Sequence, residues 1–243
     1  MTKILLILVA FLLITPTQSD AQFWKNLKKE ANKLVKDKDI GDFSAEEAAA
    51  GIKEALIKGT KKGTDLVSKV DGYYKNPEIM IPFPEDAKKV DKTLRKIGLG
   101  KEVDKAVKSL NRAAEMAAVE AKDIFVDAIT DMTLDDALNI VKGDTAAATT
   151  YLKKNTTASL TDKFTPIIKA ALEKTNATKY WKTIFKTYNK NPFAKNVNTD
   201  LTSYVTEMAL NGLFTMIQKE EGLIRRDPIA RTTDLLKKIF GGK

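Results

Sequence analysis

Four carboxylates, Glu120, Asp123, Asp127 and Asp131, recur along one stretch of this sequence at spacings that a helix gathers within an arc of about 80°. A face with four negative charges suits a hard divalent cation such as Ca²⁺ or Mg²⁺, or an acid and base pair, and a hydrolase could use Glu115, Asp123 or Asp127. No loop with calcium-ligand spacing accompanies these residues, so the expectation is a solvated face beside a buried one, with no metal and no other cofactor. The second grouping is Asn111, Arg112 and Glu115: an amide, a guanidinium and a carboxylate within about one helical turn. Only five arginines stand against 36 lysines. Arginine's planar fork suits bidentate partners, which makes Arg225, Arg226 and Arg231 natural counterparts for this grouping. Interhelical ion pairing is the expectation, and a ligand site formed by Asn111, Arg112, Glu115, Arg225 and Arg231 is the alternative.

Much other chemistry is excluded by composition. The 243 residues contain no Cys and no His, which removes disulfides, lipid-modified cysteine, Cys nucleophiles, the usual zinc sites, Ser-His-Asp triads and the Glu-x-x-His motif of di-iron bundles. None of the six serines has Lys three positions later. The segment from Gly59 to Asp65 lacks the phosphate-loop pattern, and Gly98-x-Gly100 meets Val103 where a dinucleotide loop needs a third Gly.

The elements that must position these residues read as helical throughout. Seven Pro and twelve Gly punctuate the chain, mostly at the ends of segments whose apolar period is near 3.6. Ser44 and Glu47 have capping-box spacing, and an apolar stripe runs through Ala48, Ile52, Leu56, Leu66, Val67 and Val70 to a turn at Asp71-Gly72. Gly59 and Gly63, one turn apart, predict a close helix crossing rather than a ligand contact. Pro77, Pro82 and Pro84 force an irregular connection from Tyr73 to Pro84. Pro84 then opens a short helix that Gly98 stops, and a single helix of about 45 Å is predicted from Lys101 to about Thr130. Further helices are predicted at Leu134 to Lys142, Thr145 to Lys154, Thr157 to Lys174 with a kink at Pro166, Ala177 to Asn189, Leu201 to about Arg226, and Pro228 to Phe240. With 43% hydrophobic and 30% charged residues and no low-complexity linker, this is one all-α domain of about ten helices.

Several of these segments carry a resemblance. Gly51-Ile-Lys-Glu-Ala-Leu56, Asp71-Gly-Tyr73, Ile81-Pro-Phe-Pro84, Asn111-Arg-Ala-Ala-Glu115, Ile124 to Ile129, Met132 to Ala137, Tyr204-Val-Thr206, Gly212-Leu-Phe214, Glu220-Glu221 and Ala230 to Leu236 together make the chain, from about Asp42 to Phe240, similar to the bacterial family called domain of unknown function 4197. The resemblance implies a helical, exported protein. It brings no assigned activity.

Ahead of that domain, Lys3 precedes an uncharged apolar run of 11 residues, Ile4 to Ile14, and Ser19-Asp20-Ala21 supplies small residues before a cleavage point. The run is about half the length that spans a bilayer, so residues 1–21 read as a signal peptide cut after Ala21, placing the mature chain in the periplasm or outside the cell. Residues 22–41 follow as a basic amphipathic segment. Phe23, Trp24 and Leu27 share its apolar side with Ala31, Leu34 and Val35, while Lys25, Lys29, Lys33 and Lys36 lie opposite. Such a helix fits the headgroup layer of an anionic membrane, each nearby Lys adding about 1 kcal/mol, or else docks on the domain. The formal charge of +9 is carried by Lys without interleaved aromatics, which fits anionic lipid, envelope polysaccharide or an acidic envelope protein better than nucleic acid. The expected function is a non-catalytic binding module of the envelope, with no transmembrane span in the mature chain; a cofactor-free, carboxylate-dependent hydrolase is the alternative.

Overall fold

A computed structural model describes residues 44–84, 87–175, 177–179, 181–182, 200–227 and 237. The amphipathic segment with Phe23, Trp24, Lys25, Leu27 and Lys29, the C-terminal helix with Arg231, and most of the one predicted at Ala177 to Asn189 lie outside those residues, as does the signal peptide. Among the described residues every regular element is a helix and none is a strand. There are seven of nine or more residues: α1 Ala45–Ser68, α2 Lys88–Lys96, α3 Gly100–Ala118, α4 Ala121–Thr130, α5 Leu134–Lys142, α6 Ala147–Lys174 and α7 Leu201–Arg226.

The count differs from about ten partly because two boundaries move. The single helix expected from Lys101 to Thr130 breaks at Val119 and Glu120, where the ladder tightens to a Glu120 N–H bond to the Ala117 carbonyl at 3.1 Å. The apolar period carries through this break, with Ala117, Ala121 and Phe125 all fully buried, so the pattern alone shows no interruption. Conversely, the helices expected on either side of Asn155-Thr156 are one, α6, 28 residues long. Asn155, Thr156 and Thr157 read as breakers because their side chains compete for backbone groups. Here that competition is settled within the helix: Asn155 donates to the Tyr151 carbonyl at 2.9 Å, Thr156 to Leu152 at 2.7 Å and Thr157 to Lys153 at 2.5 Å.

Helix ends follow local chemistry. Thr133 and Asp136 form a reciprocal capping box on α5, and Asp200 caps α7 through the Ser203 N–H at 3.1 Å. Gly98 takes φ +83°, letting Leu99 N–H reach the Leu94 carbonyl at 2.9 Å and Gly98 N–H the Arg95 carbonyl at 3.2 Å, the paired closure that a left-handed residue allows. Two positions assigned to apolar stripes turn out exposed: α1 stops at Ser68, which leaves Val70 outside the helical register at 75% exposure, and Ile97 is the C-cap of α2. Pro84 lies ahead of α2 rather than in its first turn, its carbonyl accepting from Ala87 N–H.

Helices α3, α6 and α7 pack mutually and carry the rest. The small side chains of Ala106, Ala113, Ala114 and Ala117 on α3 are essentially fully buried, which permits close approach of its neighbours. Phe125 of α4 meets Phe214 of α7 edge to face with centroids 5.9 Å apart. The expected glycine crossing is present: a Cβ on Gly63 would lie 3.2 Å from Ile217 Cγ1 and 3.5 Å from its Cα, so α1 lies against α7 there, and Lys62 reaches Glu220 at 2.7 Å. A glycine of α7 is constrained more tightly. A Cβ at Gly212 would sit 2.6 Å from Cε1 of Tyr73 and 3.1 Å from Ile79 Cβ. The Tyr73 ring is fully buried and anchored by its hydroxyl, so it cannot swing aside. Gly212→Ala is therefore expected to lower unfolding stability by about 1–3 kcal/mol through overpacking. Urea titration checks this, and an unshifted midpoint would show that the ring gives way.

Candidate functional site

The irregular connection between α1 and α2 is where the second sequence grouping acts. With three prolines it cannot form a ladder of its own, so its buried backbone groups need outside partners. Asn111, fully buried on α3, supplies them in both directions: its Oδ1 accepts from Ile81 N–H at 2.8 Å, and its Nδ2 donates to the Ile81 carbonyl at 2.9 Å and to Val107 at 2.8 Å. One turn on, Glu115 is 3% exposed and accepts from the N–H groups of Tyr73 and Tyr74 at 3.1 and 3.2 Å through Oε1. Its Oε2 accepts from Arg112 Nη1 at 2.5 Å, while Arg112 Nη2 binds Asp71 Oδ1 at 2.5 Å. Asp71 has φ +70°, a left-handed conformation that short polar residues tolerate best. From α7, the Tyr73 hydroxyl is received by the Ala209 carbonyl at 2.6 Å, and the Tyr204 hydroxyl donates to the Pro82 carbonyl at 3.0 Å. Burial, and then the Glu115 charge, push the Tyr73 phenol well above its usual range, so it stays a neutral donor.

These are the same short motifs that carry the resemblance noted in the sequence. The family model described as protein of unknown function DUF4197 matches residues 42–241. The chain belongs to this family. No curated protein and no solved structure gives a significant match. In this DUF4197 chain, Asp71-Gly-Tyr73, Ile81-Pro-Phe-Pro84 and Asn111-Arg-Ala-Ala-Glu115 form one physical unit, in which the third motif clamps the first two.

Of the arginines expected to complete that unit, Arg225 and Arg226 do not reach it, and Arg231 lies outside the described residues. Every partner of Asn111, Arg112 and Glu115 among the described residues comes from α3 itself or from positions 71–81. Arg225 instead serves a second buried unit. Its guanidinium meets Glu221 at 3.0 Å and donates to the Ile140 carbonyl at the end of α5, at 2.8 Å. Glu221 accepts in turn from Ala148 N–H, Thr149 N–H and the Thr149 hydroxyl at 2.8–3.0 Å, so it caps α6 from another helix. Spacing within α7 shows the Glu221-Arg225 pair; nothing local shows that its target is a helix terminus more than 70 residues earlier. Arg226 turns back onto the Gly222 carbonyl at 3.1 Å.

The four carboxylates that opened the sequence reading are all exposed on or beside α4, with Glu120 and Asp131 at its two ends. Among the described residues no three carboxylates are placed to share a metal ion.

Beside the clamp, Tyr74, Met80, Pro82 and Phe83 of the connection, with Arg95 of α2 and Asp104 of α3, line a groove of about 860 Å³. Arg95 is fixed between Asp91 at 2.6 Å and Asp104 at 2.7 Å. Lys108 Nζ and the Arg112 guanidinium each lie 5.9 Å from the Tyr74 ring centroid. The groove thus has an aromatic and proline wall of fixed shape and a guanidinium held in place by two carboxylates. Sequence reasoning missed it because its walls come from three segments that only the clamp brings together.

The clamp has a pH signature. The Lys75 ammonium, and after it the Arg112 guanidinium, hold the Asp71 carboxyl below the usual carboxylate range. A carboxyl with a depressed folded pKa contributes stability that is present above its unfolded pKa of about 4 and is lost as pH falls through the folded value. The stability difference between wild type and Asp71→Asn is expected to stay constant from pH 5 to 8 and to shrink below pH 4. Denaturant titrations across that range test it, and a difference independent of pH would remove Asp71 from the clamp's electrostatics.

Proposed function

We propose that this DUF4197 chain is an exported, non-catalytic binding module of the bacterial envelope, held at an anionic membrane surface through residues 22–38, with its signal peptide removed after Ala21. What supports the binding reading is how the chemically capable groups are used. Glu115 is buried and both its oxygens accept from donors of the fold, three bonds in all, so its carboxylate is engaged in holding the connection, and Asn111 is used in the same way. Asp123 and Asp127 are exposed on α4. The fixed walls beside the clamp offer preorganised surface, which lowers the ordering cost of taking up a partner. The membrane part is supported by the apolar edge of Phe23, Trp24 and Leu27 opposite Lys25 and Lys29. Among the described residues no helix is long and apolar enough to cross a bilayer.

Co-sedimentation with vesicles containing phosphatidylglycerol tests the reading, comparing residues 22–243 with 39–243. Binding is expected to fall on truncation and to weaken with added salt. Equal binding by the two forms would reject membrane attachment through this segment.

A further inference from the structure

The corner where α2 turns into α3 carries a surface of its own. On α2, Val90 and Leu94 are buried, while Lys88, Lys89, Lys92 and Lys96 fall within an arc of about 100° on the opposite side, all four exposed. Lys101, also exposed, follows in the first turn of α3. Between positions 88 and 105, seven basic residues stand against three acidic ones. Arg95 engages Asp91 and Asp104, and Lys105 engages Glu102, so the three carboxylates at this corner are held by cations other than those five lysines. The corner is therefore strongly positive.

At its tip the apolar content is also outward. Ile97 is 58% exposed and Leu99 38%, one on each side of Gly98. The turn stands clear of the rest of the domain, since a Cβ built on Gly98 would meet nothing within 4 Å. Its backbone is nonetheless fixed, with Leu99 N–H bonded to the Leu94 carbonyl and Arg95 tying α2 to Asp104 of α3. Two aliphatic side chains are thus presented on a preorganised tip, with Lys96 and Lys101 next to them in the chain.

This combination selects among partners. Protein interfaces are depleted in Lys and anchored by aromatic residues and Arg, yet positions 88 to 105 hold no aromatic residue, and their one Arg is engaged within the fold. Single-stranded nucleic acid asks for aromatic stacking, which is missing for the same reason. An anionic bilayer takes aliphatic side chains into its interfacial layer and lysines, on their long apolar stems, at its headgroups.

We propose that the α2–α3 corner is a second membrane-contact surface, in which Ile97 and Leu99 enter the interface of an anionic bilayer and Lys92, Lys96 and Lys101 pair with its headgroup phosphates. This rests on the membrane reading above and adds to it a surface on the folded domain, separate from residues 22–38. A probe at position 97 reports on the corner alone, so the two can fail independently.

Because the chain has no Cys, Ile97→Cys places one environment-sensitive fluorophore at the tip of residues 22–243. Asp123→Cys, exposed on the carboxylate-bearing helix α4, is the control. On vesicles of phosphatidylcholine containing phosphatidylglycerol, emission from position 97 is expected to shift to the blue and to be quenched by nitroxides on the lipid acyl chains. Neither change is expected at position 123, nor on phosphatidylcholine alone. Without the label, Lys92→Gln, Lys96→Gln and Lys101→Gln, at exposed positions where folding tolerates change, should each weaken affinity for the anionic vesicles about fivefold. If the protein sediments with these vesicles while position 97 stays in water, residues 22–38 account for the binding and the corner proposal falls. No sedimentation at all would remove both readings. An affinity indifferent to all three lysine substitutions, or a shift at position 97 with polyglutamate but not with anionic vesicles, would also overturn the proposal, the latter in favour of an acidic protein partner.

Discussion

Glu115→Ala is expected to lower unfolding stability by about 3–5 kcal/mol, a large part of the roughly 5–15 kcal/mol available to a typical domain. The substitution strips the acceptor from two backbone N–H groups, Tyr73 and Tyr74, in a segment that its prolines prevent from pairing elsewhere. It also leaves the Arg112 guanidinium, whose side chain is only 22% exposed, with Asp71 as its one carboxylate partner among the described residues. Each lost acceptor costs about 1–3 kcal/mol when the donor stays buried. Glu115→Gln separates the two parts of the effect, because an amide oxygen still accepts from both N–H groups but presents no charge to Arg112. A loss of roughly half the alanine value is expected for it. Urea titrations of both variants, with Arg112→Ala and the double variant to close a cycle, measure the terms. A loss below 1 kcal/mol for Glu115→Ala would mean the connection is held by its apolar anchors Ile79, Ile81 and Phe83 and not by the clamp.

The way this clamp was foreshadowed in the sequence shows what pattern reading reaches. On α3 the period of Val103, Ala106, Leu110, Ala113, Ala114 and Ala117 identifies the buried arc, and all six are buried. Asn111 and Glu115 fall beside that arc, so their burial was legible as polar groups needing partners. The partners themselves were not. Ile81 lies 30 residues away in a stretch whose irregularity the prolines announce but whose path they leave open. Arginine's fork and scarcity point to Arg225 as a partner for the same cluster, yet its targets, Glu221 and the Ile140 carbonyl, satisfy two helix ends whose meeting is a property of tertiary packing. The merging of α6 across Asn155-Thr156 has the same origin. Propensity counts the competing hydroxyls against a helix, while tertiary burial of Leu152, Thr156 and Leu160 on one face holds it continuous.

Glu221→Ala is expected to cost about 3–5 kcal/mol as well, but through a helix terminus, and its partner substitution tells the two mechanisms apart. Helix α6 begins at Ala147 with Ala146 as its N-cap and no side-chain bond there, so its first donors depend on α7. Glu221, 7% exposed, accepts from Ala148 N–H at 3.0 Å, from Thr149 N–H at 2.9 Å and from the Thr149 hydroxyl at 2.8 Å, placing a full negative charge at the positive end of a 28-residue helix. Arg225, bonded to the same carboxylate, places its positive charge at the Ile140 carbonyl, the negative end of α5. If capping dominates, Glu221→Ala leaves three donors stranded, whereas Arg225→Ala leaves a carboxylate still solvated by those three donors and by the α6 dipole. The expected cost of Arg225→Ala is then only about 1–2 kcal/mol. If the ion pair dominates, the two substitutions cost the same. Denaturant titration of both variants reads this asymmetry, and hydrogen exchange adds a local measure: the amides of Ala148 and Thr149 should lose protection in Glu221→Ala and keep it in Arg225→Ala. Equal losses in both experiments would show that the charge pair, and not the cap, ties α5 and α6 to α7.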